Sequence, residues 1–176
     1  MAQAKRKKKF FDVEIPIIGK TTQVYAYELE DVNGKYIKYD LTRILRGKGV
    51  ELQLKIKASE KEAVAFPIGM TIMPYHMKRM TRKGTNYVED SFIIQCKNAS
   101  MRIKPFLVTR RKVSRAVRKT LRNKTKEELI NFAKNKDSYE IFDDVLKNKT
   151  QKQLSLILKK IYPLSTCEIR VLKIEK

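Results

Sequence analysis

A run of basic residues at positions 110–122, RRKVSRAVRKTLR, places the strongest condition on how this chain can fold. Seven of its thirteen residues are Lys or Arg, and none is acidic. Like charges repel, so a folded protein can hold such a segment at low energetic cost only beside a large anion. The whole chain also has an excess of positive charge, because 40 Lys and Arg against 19 Asp and Glu leave a formal charge of +21 at pH 7. We therefore expect a nucleic acid as partner, with an anionic membrane surface or a polysaccharide as weaker alternatives.

Placed on a helical wheel at about 100° per residue, the basic run separates into two faces. Its arginines recur at spacings of four, three and four and form one stripe: Arg111, Arg115, Arg118 and Arg122. The opposite side collects small apolar residues: Val113, Ala116, Val117 and Leu121. The planar guanidinium of Arg can donate two parallel hydrogen bonds to a phosphate. The pattern thus predicts a helix over residues 110–122 that packs through its apolar side and presents arginines to RNA.

Two further cationic clusters lie elsewhere in the chain. Residues 5–9 read KRKKK, and residues 78–83 hold four more cations. Several separated clusters are more than one groove needs, so we expect a protein embedded in folded RNA that contacts mostly phosphate and sugar. No aromatic pair in the sequence resembles those of the common single-strand-binding modules. The predicted RNA-binding residues are Lys5, Arg6, Lys7, Lys8, Lys9, Lys78, Arg79, Arg82, Lys83, Arg110, Arg111, Lys112, Arg115, Arg118, Lys119 and Arg122.

Alternating and β-branched segments predict a sheet. Residues 24–30 and 35–41 read as two strands joined at Asn33-Gly34, which is a strong hairpin signal. Residues 49–59 alternate apolar and polar side chains, a pattern typical of a strand with one buried face. Three further strands are predicted at residues 87–97, 100–109 and 167–176.

Proline, glycine and capping residues mark the remaining elements. Pro67 predicts an edge or a bend in EAVAFPIGM rather than a central strand. A short helix is predicted after Pro74, ending at Gly84. Thr125 and Thr150 are each followed three residues later by Glu or Gln, which predicts a capping box and a helix start at both positions.

The order of these elements is strands, basic helix, a small helical group and a final strand. It predicts an α+β fold: a mainly antiparallel sheet or partial β-barrel, with the basic helix and a small C-terminal helical group packed against it. Residues 10–176 are predicted to form a single domain, preceded by a basic RNA-binding arm at residues 1–9.

The sequence offers little for catalysis. His76 is the only histidine, and Asp143-Asp144 reads as the exposed face of a helix. Cys96 and Cys167 are predicted to be reduced thiols that face the core, and with a single histidine they do not form a Cys/His set for zinc. We predict no metal, no cofactor and no small-molecule substrate. No apolar run reaches the roughly 18 residues that span a bilayer, and the basic start lacks the apolar core of a secretory signal. We therefore expect a non-enzymatic cytoplasmic protein without a membrane partner.

The segment GMTIMPYHMKRMTRKGTNYVEDSFIIQCKNASMRIKPFLVTRRKVSRAVRK resembles the central signature of the ribosomal protein family eS1 (older name S3Ae), above all at the junction LVTRR, residues 107–111. The flanking segments FFDVEIPIIGKT and KIYPLSTCEIRVLK resemble the start and the closing strand of that domain, so the resemblance covers residues 10–173. The chain departs from the family at Asn98-Ala99, where members usually have Asp-Gly. It also lacks the long C-terminal tail of eukaryotic members, which indicates an archaeal-type protein.

The resemblance implies a structural component of the small ribosomal subunit, on its platform near the messenger exit. The implied partners are small-subunit ribosomal RNA and neighbouring ribosomal proteins, with messenger RNA near the exit as a further candidate. It also implies a β-barrel-like core with helices against it. The residues alone leave a second interpretation open, namely a non-ribosomal RNA-binding regulator or RNA chaperone.

Overall fold

The computed structural model describes residues 7–59 and 62–175. In these residues the chain forms nine β-strands, in a mixed and mostly antiparallel sheet, and four α-helices. This confirms the predicted α+β class. The chain divides into two compact units, which are Met1–Tyr39 with Leu52–Ile68 (unit 1) and Asp40–Glu51 with Gly69–Lys176 (unit 2). None of the helices in the described residues is long and apolar enough to cross a membrane.

Unit 1 is built from strands. They are β1 (Lys9–Ile15), β2 (Lys20–Ala26), β3 (Tyr36–Asp40), β4 (Val50–Ala58) and the first half of β5 (Ala63–Ile72). β1 and β2 form an antiparallel hairpin, β1 runs parallel to β5, and β4 pairs with both β3 and β5. β4 alternates as predicted, because Leu52, Leu54 and Ile56 have no exposed surface while Gln53 and Lys55 point outward.

The predicted hairpin at Asn33-Gly34 is wrong. β2 pairs with β1, and a 3₁₀ turn at Glu30–Val32 separates it from β3, which pairs with β4. Gly34 does make a tight turn, with φ of 75°, and its N–H donates to the carbonyl of Ile56 at 2.9 Å. A positive φ favours glycine whichever strands the turn connects. The dipeptide therefore indicates the turn correctly but does not identify the strands that pair.

Unit 2 combines a sheet with all four helices. Its strands are the second half of β5, β6 (Tyr87–Glu89), β7 (Phe92–Gln95), β8 (Ser100–Thr109) and β9 (Leu164–Glu175). The helices are α1 (Pro74–Met80), α2 (Arg115–Ala133), α3 (Ser138–Leu146) and α4 (Lys149–Leu158). β8 pairs with β9 along its whole length and also carries β6 and β7. α2 packs on β6 and β7, whereas α3 and α4 pack on β9.

β5 is a continuous strand, which contradicts the edge or bend predicted from Pro67. Its partners change along its length, since Ala63 and Val64 pair with β1 whereas Gly69 to Thr71 pair with β9. Pro67 lies between these two ladders. Its missing N–H therefore removes no hydrogen bond from the pairings with β1 and β9.

Both predicted threonine caps are wrong. Thr125 lies in the middle of α2, where its buried hydroxyl donates to the carbonyl of Leu121 at 2.7 Å. Thr150 lies inside α4, which begins after Asn148 at a left-handed φ of 57°. The real capping box joins Asp137 to Glu140 at the start of α3. A threonine inside a helix can satisfy its hydroxyl with the backbone carbonyl four residues earlier, so the cap pattern alone does not fix a boundary.

In unit 2, Lys48 links its loop to two distant parts of the chain. Its Nζ donates to Glu168 Oε2 at 2.6 Å and to Asn148 Oδ1 at 2.9 Å, and both charged side chains are mostly buried. The adjacent Gly49 contacts the ring of Tyr75, and its carbonyl accepts from Met73 N at 2.9 Å. These contacts fix the chain at the start of α1.

Replacing Lys48 with Met should lower the free energy of unfolding by about 1–3 kcal/mol, because it leaves the mostly buried Glu168 without its cation and removes the shorter of two hydrogen bonds to Asn148 Oδ1. The matched control is Lys147→Met, which removes an exposed pair with Asp143 and should have a barely measurable effect. Urea unfolding of the two variants tests this. Equal destabilisation by both would show that Lys48 is not a structural link.

Candidate nucleic-acid interface

The basic run is part loop and part helix, because α2 begins at Arg115 rather than at Arg110 as predicted. Ser114 caps the helix, and its Oγ accepts a hydrogen bond from Val117 N at 3.4 Å. Arg110, Arg111 and Lys112 thus lie on the loop that joins β8 to α2. The first turn of α2 contains no acidic residue. The N-terminal partial positive charge of a helix therefore adds to the side-chain charges here.

The arginine stripe borders the packing face of α2 instead of lying opposite it. The buried residues of this helix recur every four positions: Leu121, Thr125, Leu129 and Ala133. Arg118 precedes Leu121 by three residues, which places it about 60° away on the wheel. It is half-buried, and its Nε has no hydrogen-bond partner among the described residues. Arg115 and Arg122 are exposed.

The predicted apolar side of the basic helix is only partly correct. Leu121 is fully buried and Val117 is half-buried, but Ala116 is exposed and Val113 lies on the loop before the helix. The continuation of α2 to Ala133 explains the difference. The packing direction is set by the long series of buried residues that ends at Ala133, and Ala116 lies outside that series.

A hydrogen-bond network centred on Asn86 and Thr109, which we call the Asn86 clasp, holds the basic loop. Asn86 Oδ1 accepts from Val113 N at 2.8 Å, and Thr109 N donates to the Asn86 carbonyl at 2.9 Å. The fully buried Thr109 Oγ1 accepts from Asn86 N at 3.0 Å and donates to the Arg111 carbonyl at 2.7 Å. The clasp therefore fixes the backbone on both sides of Arg110–Lys112. Neither side chain is predicted from the sequence to have this role.

The same clasp joins the second cationic cluster to the first. α1 ends at Met80, four residues before the predicted end at Gly84, with Lys78 and Arg79 in its last turn. Arg82 and Lys83 follow in a turn that Thr85 stabilises, its hydroxyl donating to the Arg82 carbonyl at 2.7 Å. Asn86 comes three residues after Lys83. The two cation-bearing loops consequently meet at this residue.

The cations of this surface have no acidic partner among the described residues. Within residues 7–59 and 62–175, no ion pair to Asp or Glu involves any of the predicted contact residues of unit 2: Lys78, Arg79, Arg82, Lys83, Arg110, Arg111, Lys112, Arg115, Arg118, Lys119 and Arg122. Two residues past Arg122, Lys124 pairs with Glu127 and Glu128. Burial and the positive charge of Arg79 lower the pKa of His76, so this histidine adds no charge at neutral pH.

The predicted arm falls partly outside the described residues, since Lys5 and Arg6 precede them. Lys7 and Lys8 are exposed, and Lys9 is the first residue of β1 in unit 1. Lys8 Nζ lies 5.6 Å from the ring centroid of Tyr25 and 5.2 Å from that of Tyr27. These rings hold Lys8 by cation–π attraction.

Metal-binding groups or reactive thiols among the described residues would indicate a different chemistry. No three His, Cys, Asp or Glu side chains among them come together as a metal site. Burial raises the pKa of Cys167 to about 12 and also raises that of Cys96, so neither thiol is a reactive thiolate at neutral pH. The arrangement can bind anions through fixed cations, and phosphate groups match the fork of each arginine.

Comparison with known proteins places these features in a family. Residues 2–176 match the Ribosomal S3Ae family. The small ribosomal subunit protein eS1 of Nanoarchaeum equitans is 23% identical over 168 residues, which cover 90% of this chain and 84% of that protein. The protein of the same name from Pyrobaculum arsenaticum is 27% identical over 96% of this chain and 80% of its own length, and that of Methanothermobacter thermautotrophicus is 26% identical over 74% and 68%. The chain belongs to the Ribosomal S3Ae family.

Proposed function

We propose that this protein is a structural component of an archaeal-type small ribosomal subunit and that it binds small-subunit ribosomal RNA through the unpaired cations of unit 2. The observation that carries the proposal is the Asn86 clasp, which joins two cation-bearing loops whose cations have no acidic partner within residues 7–59 and 62–175. Family membership supports the ribosomal role, because the relatives are named as small-subunit proteins. Neighbouring ribosomal proteins are the second class of partner, and the cytoplasmic ribosome is the location.

The geometry favours contact with RNA backbone rather than with base edges. Arg115, Arg118 and Arg122 lie at spacings of three and four on one side of α2, a span of about 10 Å along the helix axis. Arg110 and Arg111 extend this row onto the loop. Arginine forks on a rigid helix fit phosphate oxygens, which fix the orientation of a protein on RNA without reading its sequence.

The position on the platform near the messenger exit is the finer part of the proposal. It rests on the resemblance of the junction LVTRR and its surroundings to the family signature. Contact with messenger RNA near the exit would follow from that position. The alternative is a free RNA-binding regulator or RNA chaperone, since the same cations would serve a soluble protein equally well.

Sedimentation of tagged protein distinguishes the two functions. We expect the protein to be found in small-subunit fractions at moderate salt, with little in the soluble pool. Its absence from those fractions, together with a large soluble pool, would contradict the ribosomal function and favour the regulator.

Reversing the charge of Arg115 and Arg122 together should remove the protein from small-subunit fractions while leaving it folded, because both side chains are exposed. Arg118 is avoided because it borders the packing face. In purified RNA binding, each lost phosphate contact should reduce the log–log salt slope by about 0.7–0.9.

The matched control reverses Lys159 and Lys160, two exposed cations just beyond α4, which changes the net charge equally. This control should stay in the small-subunit fractions. If both double variants behaved alike, net charge and not the α2 surface would determine binding.

Thr109→Val tests the clasp without changing any charge. The substitution removes the hydroxyl that connects Asn86 N to the Arg111 carbonyl, so it should cost about 1–3 kcal/mol of stability and weaken RNA binding several-fold. The control is Thr120→Val, whose exposed hydroxyl donates only to the Ala116 carbonyl. Filter binding with folded small-subunit RNA measures both variants. Wild-type affinity for Thr109→Val would show that the clasp does not organise the interface.

A further inference from the structure

The outer face of unit 1 carries a group of solvent-exposed aromatic rings. Phe10 is 68% exposed, Tyr25 54%, Tyr36 61% and Phe66 38%. Tyr25 and Phe66 each lie between two more buried neighbours in their strands, and Phe10 and Tyr36 are each followed by a more buried residue. Rings of this size normally face the core, so exposed aromatic side chains on one sheet face indicate a binding surface.

Strand register places Phe10, Tyr25 and Phe66 on one side of the sheet. Tyr36 is connected to them through β4, where Lys55 and Lys57 share one side and lie near the rings of Tyr36 and Phe66. Phe10 and Tyr25 are direct cross-strand partners, and their ring centroids lie 4.9 Å apart. β1 pairs in parallel with β5 at Glu14 and Val64, and side chains alternate along a strand. Phe10, four residues before Glu14, and Phe66, two residues after Val64, therefore point to the same side of the sheet.

Lysines accompany the rings. Lys8 lies over Tyr25 and Tyr27, Lys55 Nζ is 6.0 Å from the Tyr36 centroid, and Lys57 Nζ is 5.2 Å from the Phe66 centroid. Four of the six cation–ring contacts in the described residues thus belong to unit 1. Asp12 and Glu14 are the acidic residues that share the exposed side of β1.

This mixture matches the chemistry of single-stranded RNA. An apolar protein partner or the apolar interior of a membrane would bury the lysine ammonium groups without offering them an anion. An RNA strand offers both groups a partner, because bases stack on aromatic rings and phosphates attract the lysines.

We propose that the exposed aromatic face of unit 1, comprising Phe10, Tyr25, Tyr27, Tyr36 and Phe66 with Lys8, Lys55 and Lys57, binds an unpaired segment of RNA by base stacking. The proposal rests on the proposed function only in taking RNA as the partner. On binding, bases replace the ammonium groups over the rings, and the lysines move onto the flanking phosphates. Because every base has a π-face, we expect little dependence on base identity.

Fluorescence anisotropy with the full chain tests the stacking directly. The probes are an oligouridylate of about 12 nucleotides and an abasic oligomer of the same length, which keeps the phosphates but has no bases. Wild-type protein should bind the oligouridylate at least about fivefold more tightly than the abasic oligomer. Phe10→Ala with Tyr25→Ala should abolish that preference, and Phe10→Leu with Tyr25→Leu should do the same while keeping apolar bulk.

Tyr139→Ala is the matched control, since Tyr139 is a partly exposed aromatic residue on α3 in unit 2 and should leave the preference unchanged. Equal wild-type affinity for both oligomers would overturn the stacking proposal, as would a preference that survives both double variants. Binding of folded small-subunit RNA, measured in parallel, separates this from the proposed function. If the protein binds folded RNA but shows no preference for the oligouridylate, only the proposal for the aromatic face is wrong. If it prefers the oligouridylate but does not bind folded RNA, only the proposed ribosomal function is wrong.

Discussion

The Asn86 clasp is the interaction on which the cationic surface depends. Eleven mutually repelling side chains could not be held on two loops and two helices by their own contacts. The buried hydroxyl of Thr109 and the side chain of Asn86 hold the loop before α2 by uncharged hydrogen bonds. Uncharged bonds leave the cations free for phosphate, whereas ion pairs would have consumed them. The energetic cost of gathering the charge remains until an anion offsets it.

Several lysines elsewhere in unit 2 are paired with acidic side chains of the protein itself. Beyond Arg122, Lys124 pairs with Glu127 and Glu128, Lys136 with Asp144, and Lys147 with Asp143. Lys48 is used structurally, between Glu168 and Asn148. The excess positive charge is thus concentrated at one end of α2 and around the end of α1. Such a concentration fits an extended polyanion better than diffuse solubility.

The sequence predicted features that depend on local pattern and missed those that depend on pairing. Strand alternation identified the buried series Leu52, Leu54 and Ile56, and the charge pattern identified the α2 region. The hairpin predicted from Asn33-Gly34 was wrong because a turn signal does not specify which strands pair. Pro67 misled because the strand changes partner around it. The contact between Phe10 and Tyr25 could not be predicted from the sequence, since only the register of the β1–β2 hairpin brings these rings together.

RNA binding by the cationic surface can be tested through the reactivity of its lysines in intact small subunits and in the free protein. Acetylation followed by mass spectrometry reports each lysine separately. We predict strong protection of Lys78, Lys83, Lys112 and Lys119 in the subunit, with Lys159 and Lys160 much less affected. If Lys78, Lys83, Lys112 and Lys119 were each as reactive in the subunit as in the free protein, RNA binding by this surface would be contradicted.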